Sequence, residues 1–132
     1  MVPLPTAIAL ILCEKAVVEE GTRNVTLVNC FAKLSPTDFP SGPVSFVAYA
    51  ALTNAQGPAT IKVVVTRLET DEVLDSWQGA VVFPDRFTEV RVRFRIRDRS
   101  FPAPGRYQFT LLVDDEWVAQ RDLQIHPKEA QP

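Results

Sequence analysis

Glu89-Val-Arg-Val-Arg-Phe-Arg-Ile-Arg97 alternates apolar residues and arginines without a break from Val90 to Arg97. A period of two buries one face of a segment and wets the other, which is the pattern of a half-buried β-strand. Val90, Val92, Phe94 and Ile96 then point into a core, and Arg91, Arg93, Arg95 and Arg97 point out together. This strand predicts a sheet protein and marks one face as its candidate site.

Downstream, Phe101-Pro-Ala-Pro-Gly105 is a rigid turn, and Arg106 to Val113 alternates with Tyr107, Phe109, Leu111 and Val113 on one side. Asp114-Asp-Glu116 turns the chain, and Trp117 to Ile125 returns as a strand. A two-residue turn would set Trp117 beside Leu112, off the aromatic face. A three-residue loop, or a bulge near Gln120-Arg121, puts Trp117, Ala119 and Leu123 on that face and is the preferred reading.

Upstream, Thr6 to Val18 is a first strand, Glu19 to Arg23 a turn, and Asn24 to Leu34 a second strand. A Gly21-Thr22 turn makes antiparallel partners sum to 43, so Cys13 faces Cys30. In a reducing cell these are two small buried thiols; the alternative is a redox-sensitive cross-strand disulfide. Ser35 to Pro43 holds three prolines and a glycine in nine residues and is a loop. Val44 to Thr53 is apolar on both faces and so central. Ala59 to Glu69 is a fourth strand, and Val73 to Val82 a fifth with a weak point at Gly79. Seven to eight strands at short spacing with no amphipathic helix predict an all-β chain, a single antiparallel β-sandwich; a closed barrel is the alternative.

At 132 residues the chain fits one domain, taken here as 1–132 with a loose tail over 127–132. Its net charge of −2 offers no global attraction to nucleic acid or anionic membrane. Residues 1–84 carry 5 basic and 8 acidic side chains, and 85–132 carry 9 and 8. The start lacks a positive n-region, its apolar run from Ala7 to Leu12 is short, and no small-x-small cleavage site follows. A cytoplasmic domain is expected, leaving Asn24-Val-Thr26 an unused glycosylation sequon.

Several segments are familiar as a set: Cys13-Glu-Lys15, Phe39-Pro-Ser-Gly-Pro43, Leu52-Thr-Asn54, Phe83-Pro-Asp-Arg86, Phe101-Pro-Ala-Pro-Gly-Arg-Tyr107, and Leu111-Leu-Val-Asp-Asp-Glu-Trp-Val-Ala-Gln-Arg121. In this order the chain resembles an uncharacterised bacterial family of small β-sandwich proteins, known only as a domain of unknown function. The closing hairpin also resembles the last two strands of immunoglobulin-like folds. The family resemblance implies an architecture and no activity; Asp115 departs from its pattern, which favours glycine there.

The residue inventory argues against catalysis. His126, the only histidine, sits before Pro127 in a polar tail, so no Ser-His-Asp or Cys-His set is expected. One histidine and two facing cysteines do not make a four-ligand zinc site, and the 5 glycines are scattered rather than gathered in a phosphate loop. No cofactor or metal is expected. Asp71-Glu72 with Asp75, and Asp114-Asp115-Glu116, read as acidic turns rather than calcium ligands. Trp77 and Trp117 read as core residues rather than a sugar-stacking platform.

Arg91, Arg93, Arg95 and Arg97 remain as the candidate anion- or partner-binding residues. Their guanidinium groups recur about every 6.5–7 Å along one strand face. Between residues 85 and 122 there are 8 arginines and 7 acids, so either neighbouring acids neutralise the row or it stands open. The expected function is a non-enzymatic protein-interaction or assembly module that binds another protein or itself, with no nucleic-acid or membrane partner. A ligand-binding module for carbohydrate or an anionic partner is the alternative.

Overall fold

The alternating stretch forms β7 (Val90–Arg99) in the computed structural model, which describes residues 4–128. The other strands are β1 (Thr6–Val18), β2 (Val25–Phe31), β3 (Lys33–Leu34), β4 (Val44–Thr53), β5 (Gly57–Arg67), β6 (Glu72–Phe83), β8 (Gly105–Val113) and β9 (Glu116–Ile125). They make two sheets, ordered β2-β1-β4-β7 and β3-β9-β8-β5-β6. Taking β4, β5, β7, β8 and β9 as strands B, C, E, F and G, these are the two sheets of an immunoglobulin-like sandwich, with β1 as A and β6 as C′. Tyr107 at the start of β8 adds that fold's tyrosine corner: its hydroxyl donates to the Ala103 carbonyl at 2.6 Å.

The phase of each strand decides what it buries. On β7, Phe94 and Ile96 are buried and pair with Ala48 and Phe46 of β4. On β5, Ile61, Val63 and Val65 face the same core, as do Tyr107, Phe109 and Leu111 of β8. Phe31, Phe46 and Phe109 run edge-to-face through it, with centroids 5.4 and 5.9 Å apart. Opposite them, Ala48 and Ala50 keep β4 slim enough for rings to pack over it. β4 lies between β1 and β7, the central position expected of a strand with two apolar faces. β6 runs unbroken through Gly79.

Nine strands form rather than seven or eight because the expected second strand divides. Val25–Phe31 pairs with β1; the chain then crosses to the other sheet, where Lys33–Leu34 lies parallel to β9. The Ala32 and Leu34 carbonyls accept from Gln124 and His126, and Pro36 accepts from Lys128 at 2.9 Å. The expected loose tail therefore begins in an ordered contact; residues 129–132 of it lie outside the described residues.

Two turns show how register survives a change of loop. The β1–β2 connection is wider than a two-residue turn: Glu19 N–H donates to the Asn24 carbonyl at 2.8 Å, and Arg23 takes a left-handed φ of 64°. Partners still sum to 43, and Cys13 pairs with Cys30. The β8–β9 connection is the reverse case. It is a two-residue turn, Asp114-Asp115, with φ of 48° and 66°, the twist-matched type I′ geometry. Trp117 consequently pairs with Leu112, and a bulge at Val118 restores Ala119 and Leu123 to the core phase. Trp117 is 55% exposed, which corrects its expected place in the core.

The second residue of such a turn favours glycine, because a left-handed φ crowds Cβ. Asp115→Gly is expected to stabilise the domain by about 0.5–1 kcal/mol, raising its melting temperature. A lower melting temperature would contradict this turn geometry.

Candidate functional site

β7 is an edge strand of the four-stranded sheet, and all four of its candidate arginines, Arg91, Arg93, Arg95 and Arg97, are exposed. Their neighbours across β4 decide whether the row is neutralised. Arg91 pairs with Ala51, Arg93 with Tyr49, and Arg95 with Val47. One strand further, Tyr49 and Val47 pair with Ile11 and Cys13 of β1. These rows contain no acid, so the cross-strand pairing that would cancel the charge does not occur.

Apart from Glu89 just before β7 and Asp98 within it, the acids of this region lie elsewhere. Asp114, Asp115 and Glu116 are at the β8–β9 turn, and Asp122 is on the other sheet, beside Gln108. Asp85 caps the β6–β7 loop, where its carboxylate accepts from the Phe87 and Thr88 N–H groups at 2.8 Å. Those bonds, with the Thr88 hydroxyl, hold its carboxyl below the usual carboxylate range. Among the described residues the ion pairs are Arg67–Glu69, Arg99–Asp75 and Arg91–Glu89. Arg95 and Arg97 therefore carry no acid partner among the described residues.

Arg91 and Arg93 are held in place. Arg91 donates Nε to the Glu89 carboxylate and Nη1 to the Arg23 carbonyl at 3.1 Å. Arg93 donates Nη1 to the Ala16 carbonyl at 3.3 Å. Both carbonyls belong to the β1–β2 hairpin, so the hairpin reaches across to the arginine row. Between them lies a cavity of about 270 Å³ lined by Val18, Arg23, Tyr49, Glu89, Arg91 and Arg93, among others. Tyr49 is buried; burial pushes its phenol up, the Arg91 charge opposes that, and Glu89 adds to it. A neutral phenol keeps its proton to donate.

This arrangement suits an oxyanion carried by a larger molecule. A guanidinium has five N–H donors in a planar fork, and those left unused by the carbonyl bonds are available to a carboxylate or phosphate. Beyond the cavity, Arg95 and Arg97 extend the cationic strip along β7. The structure thus brings Arg91 and Arg93 together around one cavity and leaves Arg95 and Arg97 in line with it. Sequence reasoning missed Arg23, which reads as a turn residue, and Tyr49, which reads as one more apolar position of a central strand.

The remaining candidates separate. His126 is exposed and lies 3.2 Å from the Gln124 amide oxygen. No group of three His, Cys, Asp or Glu gathers in metal-binding geometry among the described residues. The acidic turns at Asp71-Glu72 and Asp114-Asp115 stand at opposite ends of the sandwich, because β5 meets β8 from Ile61–Val113 to Arg67–Tyr107. Trp77 packs against the core. Phe87, 93% exposed on the Asp85-capped loop, is a feature that alternation could not reveal because it lies outside any strand. Among the described residues no helix is long and apolar enough to cross a membrane.

The first of three similar solved structures supports the architecture. The chain is similar over 92% of its length to part of the alkylpurine DNA glycosylase AlkC of Pseudomonas fluorescens, solved bound to DNA containing an abasic site analogue, with a TM-score of 0.54 and 11% identity. It spans 30% of that protein's chain. It is also similar to the sensor domain of the anti-sigma factor RsgI4 of Pseudobacteroides cellulosolvens (TM-score 0.42, 12% identity, 75% of this chain and 90% of that one). An immunoglobulin-like protein of Pseudomonas aeruginosa gives a TM-score of 0.41 at 12% identity, over 94% of this chain and 98% of that one. No curated protein matches the sequence. The model of a family of unknown function (DUF6941) matches residues 8–126, and the chain belongs to that family.

Proposed function

We propose that this domain is a non-enzymatic interaction module that docks an acidic segment of a partner protein on the arginine face of β7. The observation that carries the reading is the absence of acids from the rows facing Arg91, Arg93 and Arg95, with Arg95 and Arg97 unpaired among the described residues. A carboxylate seated in the cavity meets Arg91 and Arg93 already oriented by carbonyls, so less side-chain entropy is lost on binding. An extended acidic peptide presents side chains with the same two-residue repeat as the strand, about 6.5–7 Å, and so can meet successive arginines. Nucleic acid fits less well: the overall charge is −2, and the aromatic residue of the cavity, Tyr49, is buried rather than offered for base stacking.

The test is binding of a fluorescent Asp/Glu-rich peptide, with single-stranded and duplex DNA of equal charge as competitors. The peptide is expected to bind with an affinity that falls with salt, and Arg95→Glu with Arg97→Glu is expected to weaken it at least about tenfold, as reversing two desolvated contacts does. Equal binding by the double variant sinks the proposal, and so does stronger binding of DNA.

One observation favours a second reading. Trp117 stands exposed beside Leu112 on the outer face of the five-stranded sheet, where an indole can stack on a sugar ring. Quenching of its fluorescence by oligosaccharides, lost in Trp117→Ala, distinguishes this from the arginine-face reading.

A further inference from the structure

We infer that Cys13 and Cys30 form a modification site that a small disulfide, such as oxidised glutathione, converts into a cross-strand bond through the exposed Cys30. The two residues are direct partners across β1 and β2, and both are free thiols. Antiparallel partners have Cα atoms about 4.5–5.5 Å apart, inside the window of about 4.4–6.8 Å that a disulfide spans. Their exposures differ in the way a sequential reaction needs: Cys30 is exposed and Cys13 is fully buried. Burial, and then the charge of Cys30, pushes the Cys13 thiol up, so an external reagent meets Cys30 first.

The chemistry balances in two exchanges. The Cys30 thiolate, its proton released to solvent, attacks one sulfur of glutathione disulfide; the S–S bond breaks and one glutathione leaves as thiolate. Cys13 then loses its proton and attacks the Cys30 sulfur, which expels the second glutathione. Two protein thiols are oxidised, one disulfide is reduced to two thiols, and the two protons released are taken up by the leaving thiolates. Cys13 needs no path to solvent, because its target is the facing side chain.

The site also has a predicted character. Asn29, the neighbour of Cys30, takes a left-handed φ of 54°, so β2 departs from regular strand geometry beside the pair. A bond through an exposed cysteine on an edge strand is open to attack by external thiols, and so is readily reduced. The site therefore behaves as reversible rather than as a permanent staple. β2 is an edge strand paired only with β1 among the described residues, so the hairpin can adjust to the bond without disturbing the core.

The experiment uses the full chain, oxidised glutathione, intact-mass measurement and thiol counting after unfolding. The expected product has lost two hydrogens, carries no glutathione, shows no free thiol, and returns to the starting mass with dithiothreitol. Cys13→Ala is expected to stop at one glutathione held on Cys30, and Cys30→Ser to leave Cys13 unreacted until the protein unfolds. A wild-type chain that retains glutathione on Cys30 with Cys13 still titratable overturns the inference, as does a chain in which neither thiol reacts. The wild-type measurement decides even if a variant does not fold.

Discussion

Replacing Tyr107 by alanine is expected to cost about 3–5 kcal/mol, among the largest single losses available to this domain. Three contributions add at this position. The ring is fully buried and pairs across β8 with Leu123 of β9 and Arg67 of β5, so its removal opens a cavity in the five-stranded sheet. It also packs edge-to-face on Phe101, with centroids 5.0 Å apart and planes at 70°, which anchors the Phe101–Gly105 turn to the core. Finally, its hydroxyl donates to the Ala103 carbonyl, closing the corner from within. Burial pushes the phenol up, so the group stays protonated and keeps donating. Tyr107→Phe separates these effects: it keeps the ring and is expected to cost about 1–3 kcal/mol through the unsatisfied carbonyl alone. Urea unfolding measures both. A Tyr107→Ala midpoint close to wild type would mean that the aromatic face of β8 is not the core face. With total stabilities of about 5–15 kcal/mol, the alanine variant leaves little in reserve, and the phenylalanine variant remains measurable if it unfolds.

Strands whose burial follows local alternation could be read from the sequence; placements made by distant contacts could not. β8 buries every second residue, β7 half-buries Val90 and Val92 and buries Phe94 and Ile96, and their phases follow directly from Val90–Arg97 and Tyr107–Val113. The division of β2 from β3 is invisible because both pieces are extended and only their partners differ. Trp117 stands on the face opposite to the expected one because two consecutive aspartates adopt left-handed conformations, a role that glycine or asparagine usually signals. The register of Cys13 and Cys30 was legible from the hairpin centre, although the loop itself is wider than supposed.

The candidate site divides along the same line. Sequence composition showed that arginines and acids nearly balance near β7, but not where the acids go. Apart from Glu89 beside β7 and Asp98 within it, they collect in turns and on the other sheet, while Ala51, Tyr49 and Val47 face the arginines. That distribution is a tertiary fact. So is the cavity, which needs Arg23 and Val18 of a hairpin some seventy residues away in sequence from Arg91 and Arg93.

Phe94→Ala is the second large loss, expected at about 3–5 kcal/mol, and it tests the phase on which the arginine face depends. Phe94 is 6% exposed and pairs with Ala48, whose small side chain leaves the space that the ring fills. Alanine at both positions would leave a void between the sheets, with Leu, Val and Phe side chains unable to close over it fully. Its neighbours along the same strand should behave oppositely. Arg95→Ala removes an exposed side chain with no ion pair and is expected to change stability by less than about 0.5 kcal/mol. Arg93→Ala loses one exposed hydrogen bond to the Ala16 carbonyl and belongs in the same range. Three denaturation curves thus read one strand from both sides. A large loss at Phe94 with small losses at Arg93 and Arg95 places the guanidinium groups in solvent, where a partner can reach them. Similar losses at all three would put the arginines in a structural role and remove the open cationic face that acidic docking requires.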